Sequence, residues 1–451
     1  MSRELLDTAT ELAGRGRDGE QVEAFVTHAR TFEVKVFDGR VDSLSSAEPR
    51  GAGVRVVSAH RVGFAYSTDL SAGGLDELVA AARANAAHAG SDDASALADP
   101  WDGRPAEVPG LVDPEAARVT PDDKVGFALE LERAAKGADE RVRAVEDAVY
   151  ADSDSEVAIA TSTGIAGAYR RTDAWCYAVV IAESDGDTQV GFDFELGRGL
   201  QGLGAEAVAQ SAARRAVRVL GATKVRSERM PVVFDPYVAG QFLGVVGRAL
   251  TGEAVQKGRS LFAGRVGERV GAGDLTLVDD GRIEGAPGAA PWDDEGVPTG
   301  RTEVIRDGEL KSFLYDTTSA RREGRASTGN ASRAGFKSVP HPAPSNLAFV
   351  PGDCDHAEVL RRAGRALYVQ DLHGVHSGAN PISGDFSVGA TGLLVEKGAL
   401  TQPVKEVTIA ASMLEILERI VAVGSDLRWL PFGGSYGGAT TLVSEMTVAG
   451  R

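Results

Sequence analysis

Three short runs carry residue types that could do chemistry. Asp371, His373 and His376 place two imidazoles three residues apart beside a carboxylate, a donor set that could hold a metal ion. The sequence continues through Gly374, Ser377, Gly378, Asn380, Pro381 and Gly384 to Asp385, a composition that interrupts regular structure. Residues 373–385 are therefore expected to be a polar loop lining a cleft, with a metal site as the alternative. Gly433-Gly434-Ser435-Tyr436-Gly437 matches the nucleophile elbow of α/β-hydrolases, whose acid and histidine must follow the serine. Only 16 residues follow Ser435 and none is His, so a Gly-rich turn into a last strand is expected instead. Gly197-Arg198-Gly199-Leu200-Gln201-Gly202 fits the G-x-G-x-x-G pattern of a dinucleotide loop. The strand before it, 187–195, alternates polar and apolar residues, whereas a dinucleotide-binding strand is nearly continuous Val, Ile and Leu. A Gly-rich turn from strand to helix accounts for that run.

Soft metal ligands are scarce: 451 residues contain 7 His and 2 Cys. The 48 Lys and Arg against 65 Asp and Glu give a net charge of −17, which repels phosphate backbones and anionic lipid. Neither a nucleic acid nor a membrane is expected as a partner. Cys176 and Cys354 cannot build a disulfide framework, which points to a reducing, cytoplasmic setting. The first seven residues read as the start of an amphipathic helix, not the apolar core of a signal peptide. With no secretion route expected, the Asn330-Ala331-Ser332 sequon is read as chance.

The elements that must position these residues fall into two halves. A helix over the first 15 residues precedes alternating runs at 32–37 and 40–44, which flank Asp38-Gly39, a strong hairpin signal. Further strands are expected at 51–57, 61–66, 142–150, 156–160 and 174–183, and helices at 75–87, 122–138 and 205–220. This describes an α+β fold, with an N-terminal α+β domain over 1–220 whose sheet is mostly antiparallel and flanked by helices. Past the polar stretch 221–229, Gly becomes frequent. Asp280-Gly281, Asp307-Gly308 and Lys397-Gly398 separate short apolar runs at 275–278, 303–305 and 392–395. A β-rich, barrel-like domain over 221–451 is expected, with a few helices, notably at 236–250 and 412–421. Residues 285–300 hold three Pro and four Gly and are expected to cross the surface as a loop.

Four stretches of the second half resemble the TldD/PmbA metallopeptidase family. They are Glu253 to Gly264, with Lys257-Gly258 and Ser260; Asp294-Glu295-Gly296-Val297-Pro298-Thr299; Ser327-Thr328-Gly329-Asn330-Ala331-Ser332-Arg333; and Gly384-Asp385-Phe386-Ser387 with Pro403-Val404-Lys405-Glu406-Val407. They occur in the family's order over about residues 230–451. The resemblance implies two kinds of chain. TldD-type chains carry His-Glu-x-x-x-His on a helix and a Cys near the C-terminus; two neutral imidazoles and a thiolate hold zinc, and the Glu takes a proton from its bound water. TldE/PmbA-type chains lack that set and pair with a TldD-type chain.

Counting back from Lys257-Gly258, the six matching residues are Leu243-Gly244-Val245-Val246-Gly247-Arg248. Leu243 and Arg248 stand for the histidines and Gly244 for the Glu, and the segment 430–434 supplies no thiol. Leu and Gly offer no lone pair to a metal, and Arg248 brings a permanent cation. The expected role is a non-catalytic TldE/PmbA-type subunit, inactive alone, with no cofactor of its own and zinc in a TldD-type partner. Heterodimer or higher assembly, and an unfolded or extended peptide substrate, follow from the same resemblance. The alternative is a free-standing homodimeric peptide-binding or scaffold protein. Arg248, His373, His376, Asn380 and Asp385 are the residues expected to meet substrate or partner; for Arg248 a solvent-facing role is the competing account.

Overall fold

The computed structural model describes residues 2–101, 107–430 and 434–451. Seven antiparallel strands make the first sheet: β1 (Glu20–Phe37), β2 (Arg40–Ala47), β3 (Arg50–Ser58), β4 (Arg61–Ser67), β5 (Val142–Thr161), β6 (Ala166–Ser184) and β7 (Asp187–Gly197), in the order β4-β3-β1-β5-β6-β7. The long β1 has two partners on one edge: residues 20–28 pair with β3 and residues 31–37 with β2. Asp38 and Gly39 both take positive φ (51° and 73°), the backbone a two-residue hairpin turn needs. The expected strands 142–150 and 156–160 are one strand. The polar Asp152–Glu156 stretch stays in register because Asp154 pairs with Arg170 across the ladder and Asp152 with Lys124.

Four helices cover one face of this sheet. Leu5, Leu12 and Ala9 of α1 (Ser2–Ala13) and Leu75, Leu78 and Val79 of α2 (Ala72–His88) pack on Val22, Ala24, Val26 and Val54. α3 (Pro121–Gly137), opened by a Thr120/Asp123 capping box, and α4 (Ala205–Val217) cover the other end around Tyr150, Cys176 and Val180. Burial pushes the Cys176 thiol up to about 12. The opposite face is different. Phe25 and Ile159, alternating with the helix-facing residues, pack with Ile165 and Phe336 against the second half of the chain.

In that second half, β8 (Glu228–Phe234) pairs in parallel with Arg365–His373, which continues antiparallel through Asp385–Glu396 and Ala399–Ser412. The strand Thr441–Ala449 pairs with both β8 and Ala399–Ser412, and so closes a barrel. A second sheet of short strands includes Leu277–Asp280, Arg301–Arg306, Leu347–Phe349 and Tyr436–Gly438. Asp307-Gly308 and Lys397-Gly398 are tight turns with both residues at positive φ. Asp280-Gly281 is not: Asp280 Oδ1 accepts from the Arg282 amide and the chain leaves the sheet for twenty residues before re-pairing.

Three further expectations change. The helix at 412–421 spans only Met413–Glu418, because Ile420–Val423 pairs with the last strand. The stretch 285–300 runs inside the molecule, and its carboxylates find buried partners there. The stretch 373–385 is less loop-like than its composition: His373 ends a strand, Val375–Gly378 is a helical turn, and Asp385 begins the next strand.

Candidate functional site

The helix α5 (Pro236–Ala249) organises the site. Its start is fixed by sequence and by charge. Asp235 is the N-cap and accepts from the Tyr237 amide (2.9 Å), and Pro236 sits where no N–H is needed. The same carboxylate, almost fully buried, takes Arg215 Nη1 of α4 (2.9 Å) and the Tyr368 hydroxyl. Burial pushes its pKa up, but Arg215 and the Tyr368 hydrogen bond prevail and hold it below the usual carboxylate range. Val238, Phe242, Leu243 and Val246 are fully buried in the core with Phe234, Val369 and Phe386.

Close approach fixes the other face. A Cβ on Gly438 would sit 1.9 Å from the Pro236 carbonyl oxygen, so only glycine lets this strand lie against α5. Gly438→Ala is expected to lower stability by about 1–3 kcal/mol, because the backbone must part to admit the methyl. Urea unfolding of the full chain measures it, and an unchanged midpoint contradicts the packing described.

Two hollows adjoin, and α5 contributes Arg248 to the smaller of them. The larger, about 800 Å³, opens between the uncovered face of the first sheet (Phe25, Val157, Tyr169, Arg171, Asp173) and the segments around Trp292, Asn330, Arg333 and Ser345. The smaller, about 520 Å³, is lined by Arg248, Glu253, Lys257, Arg259, His341, Pro381, Ile382 and Tyr436, among others. They share Ser332, Ala343, Pro344 and Gly434, so the two adjoin as parts of one depression. In the larger hollow Tyr169 meets Trp292 edge-on with centroids 5.4 Å apart, and burial pushes the Tyr169 phenol up to about 12. Asp173 is taken by Arg171 (2.8 Å) and by Arg198, whose other nitrogen donates to the Ala286 carbonyl (2.5 Å).

A buried charge cluster joins the two halves at the rim. Glu23 of β1 accepts from Arg55 Nη2 (2.5 Å) and from Arg333 Nη2 (2.6 Å). Arg55 also reaches Glu295 (2.9 Å), and Arg333 reaches the Asp294 carbonyl (2.6 Å) and covers the Phe25 ring at 4.5 Å. Glu23 and Glu295 are at most 1% exposed. Burial works against the Glu23 carboxylate, yet Arg333 and Arg55 hold its pKa below the ordinary value. Asp293 binds the amides of Glu295, Val297 and Ala331, and burial beside Glu295 raises its pKa well above the ordinary value. The stretches 294–299 and 327–333 thus hold the molecule together as well as walling the hollow. Asn330 is 2% exposed, with its amide nitrogen on Asp279 (2.7 Å), which leaves no free sequon.

The residues singled out from sequence are dispersed. Leu243 is in the core, Gly244 lies against the Tyr436 ring, and Arg248 is exposed in the smaller hollow. Of 373–385, Pro381 and Ile382 line that hollow; His373, His376, Asn380 and Asp385 are not among its walls. His373 Nε2 is 2.9 Å from Thr391 Oγ1, Asn380 Oδ1 accepts from the Ile382 amide, and Asp385 takes the Ser383 hydroxyl. Asp371 is held by Gln370 and Arg215, and no group of three or more His, Cys, Asp or Glu could hold a metal ion among the described residues. A zinc ion bound by imidazoles and a thiolate does not fit Leu243, Gly244 and Arg248. Residues 431–433 of the matching C-terminal segment, with Gly433 of the serine motif, lie outside the described residues. Ser435 is buried with its hydroxyl donating to Asn346 Oδ1 (2.6 Å), a structural role. Gly199 lies against Asp113, whose carboxylate a Cβ would strike at 1.7 Å, and the Gly204 amide is taken by Glu195 (2.6 Å); two carboxylates occupy this turn, not a phosphate.

Comparison with known proteins places these features. The C-terminal domain model of the PmbA/TldA metallopeptidases matches residues 227–450, their central domain 114–220 and their domain 1 22–86. The chain belongs to the PmbA/TldD family. This PmbA/TldD-family chain is 29% identical over 449 residues to Metalloprotease PmbA of Escherichia coli O157:H7, covering 99% of this chain and 96% of that one. It is 29% identical to the Metalloprotease TldD homolog of Haemophilus influenzae over 86% of this chain and 81% of that one. TldE from Thermococcus kodakarensis has the same fold, with a TM-score of 0.89 at 22% identity and both chains fully covered.

Sequence reasoning named Arg248 but passed over Arg259 and Lys257, which line the same hollow. Three cations within twelve residues of an acidic chain were the available signal. Tyr169 and Trp292 carried none, since the fold alone brings them together.

Proposed function

We propose that this chain is the non-catalytic, TldE-type half of a cytoplasmic two-chain zinc peptidase. A TldD-type partner supplies the zinc and the general base, and this chain completes the chamber in which an unfolded or extended peptide is held. The observation that carries the proposal is α5 itself. Its cap, core face and close packing against Gly438 are intact, while Leu243, Gly244 and Arg248 offer no metal donor and no base where a catalytic relative needs them. The two adjoining hollows, the smaller walled in part by Arg248 of α5, have aromatic and paired polar walls that suit an extended chain.

Mixing the purified chain with a TldD-type chain bearing an intact His-Glu-x-x-x-His is expected to produce chelator-sensitive cleavage of a disordered peptide. This chain alone is expected to produce none. Zinc-dependent cleavage by this chain alone, surviving repurification, overturns the proposal. A chain that stays homodimeric beside the partner and adds nothing to cleavage supports the free-standing scaffold instead.

A further inference from the structure

The smaller hollow carries a charge balance opposite to that of the chain. Arg248, Lys257 and Arg259 line it against one carboxylate, Glu253, in a protein of net charge −17. Lys257 Nζ is on Glu253 Oε1 at 2.7 Å, so those two charges answer each other. Neither Arg248 nor Arg259 has an ion pair or side-chain hydrogen bond among the described residues, and both are exposed. Most other arginines near the depression are committed: Arg55, Arg171, Arg198 and Arg333 all have carboxylate partners. The C-terminal end of α5 favours a cation at 248 on dipole grounds. That accounts for one arginine and leaves Arg259, which arrives from beyond the following turn.

Two unpaired guanidinium groups facing one hollow make a receptor for a planar anion, since each presents a fork that matches a carboxylate. Of the remaining walls, Thr251, Ser332 and His341 are polar, while Pro342, Pro344, Pro381, Ile382 and Tyr436 are apolar or aromatic and would seat the side chain next to such an anion. The larger hollow adjoins this one at Ser332, Ala343, Pro344 and Gly434, which puts the second within reach of a peptide lying in the first. We infer that Arg248 and Arg259 form a carboxylate-binding site for a peptide held in the depression. This rests on the peptide-holding role proposed above. The carboxylate comes from the peptide's C-terminus or from an acidic side chain close to it.

Fluorescence anisotropy with three versions of one disordered peptide tests the assignment: free C-terminal acid, C-terminal amide, and an amide whose last residue is aspartate. Each is titrated against the full chain, alone and with its TldD-type partner. The amide is expected to bind at least about ten-fold more weakly than one or both carboxylate forms, the loss of a charge-assisted pair. The tighter form names the source. In the R248Q/R259Q double variant the preference is expected to vanish at an unchanged thermal midpoint, and R248K/R259K should retain part of it. Equal binding of all three peptides overturns the carboxylate site while leaving the peptide-holding role standing. Failure to bind any of them overturns that role and the site with it. A double variant that loses partner association yet keeps the carboxylate preference also overturns the site.

Discussion

Replacing Arg333 with leucine is expected to lower the unfolding free energy by about 3–5 kcal/mol, because removing one partner of a buried ion pair strands the other charge. Glu23 then keeps only Arg55 in a site from which water is excluded, and the Asp294 carbonyl and the Phe25 ring lose their contacts with the guanidinium. The pH dependence follows from the sign of the Glu23 shift. Its folded pKa lies below its ordinary value near 4.5, so its favourable contribution is present above that value. It is lost as pH falls through the folded pKa. The deficit of Arg333→Leu against the parent should therefore be largest near neutrality and shrink below about pH 4. Urea unfolding at several pH values measures this, and a deficit independent of pH contradicts the ion-pair account.

Asp235→Ala is expected to cost a comparable amount, about 3–5 kcal/mol, for two separable reasons. It removes the N-cap of α5, about 0.5–2 kcal/mol by itself, and it takes from Arg215 its closest carboxylate in a buried site. Asp235→Asn keeps an oxygen for the Tyr237 amide and gives up the charge, so it should recover the smaller share. Chemical denaturation of the three proteins separates the terms. If Asp235→Asn matches the parent, the charge at 235 is idle and the position of α5 rests on packing alone.

Features set by local backbone chemistry were legible in the chain before any fold was known. Asp38-Gly39, Asp307-Gly308 and Lys397-Gly398 must turn because both residues of each pair take positive φ. The apolar spacing of 238, 242, 243 and 246 required a buried helix. What escaped depended on distant partners. Residues 285–300 look like a surface loop until Glu295 meets Arg55, 240 residues away. The polar middle of β5 looks like a break until Arg170 and Lys124 arrive opposite it. Spacing alone says nothing about which hollow the side chains of His373 and His376 enter, and neither lines the two hollows described. The cations at 257 and 259 were passed over because only the return of 341–344 and 381–382 beside α5 makes a hollow of them.

Closure of the barrel by Thr441–Ala449 also imposes an order on biosynthesis. β8 pairs with a strand more than two hundred residues downstream, and Ala399–Ser412 waits for that strand as well. At roughly 5–20 residues per second, a ribosome spends about 10–40 s between the two halves of this seam. During that interval α5 and β8 have no complete wall to pack against, and their apolar faces stand open to holding chaperones. The first sheet, by contrast, has every strand and four helices in hand by residue 217, so it can fold on the nascent chain as the platform on which the barrel later shuts.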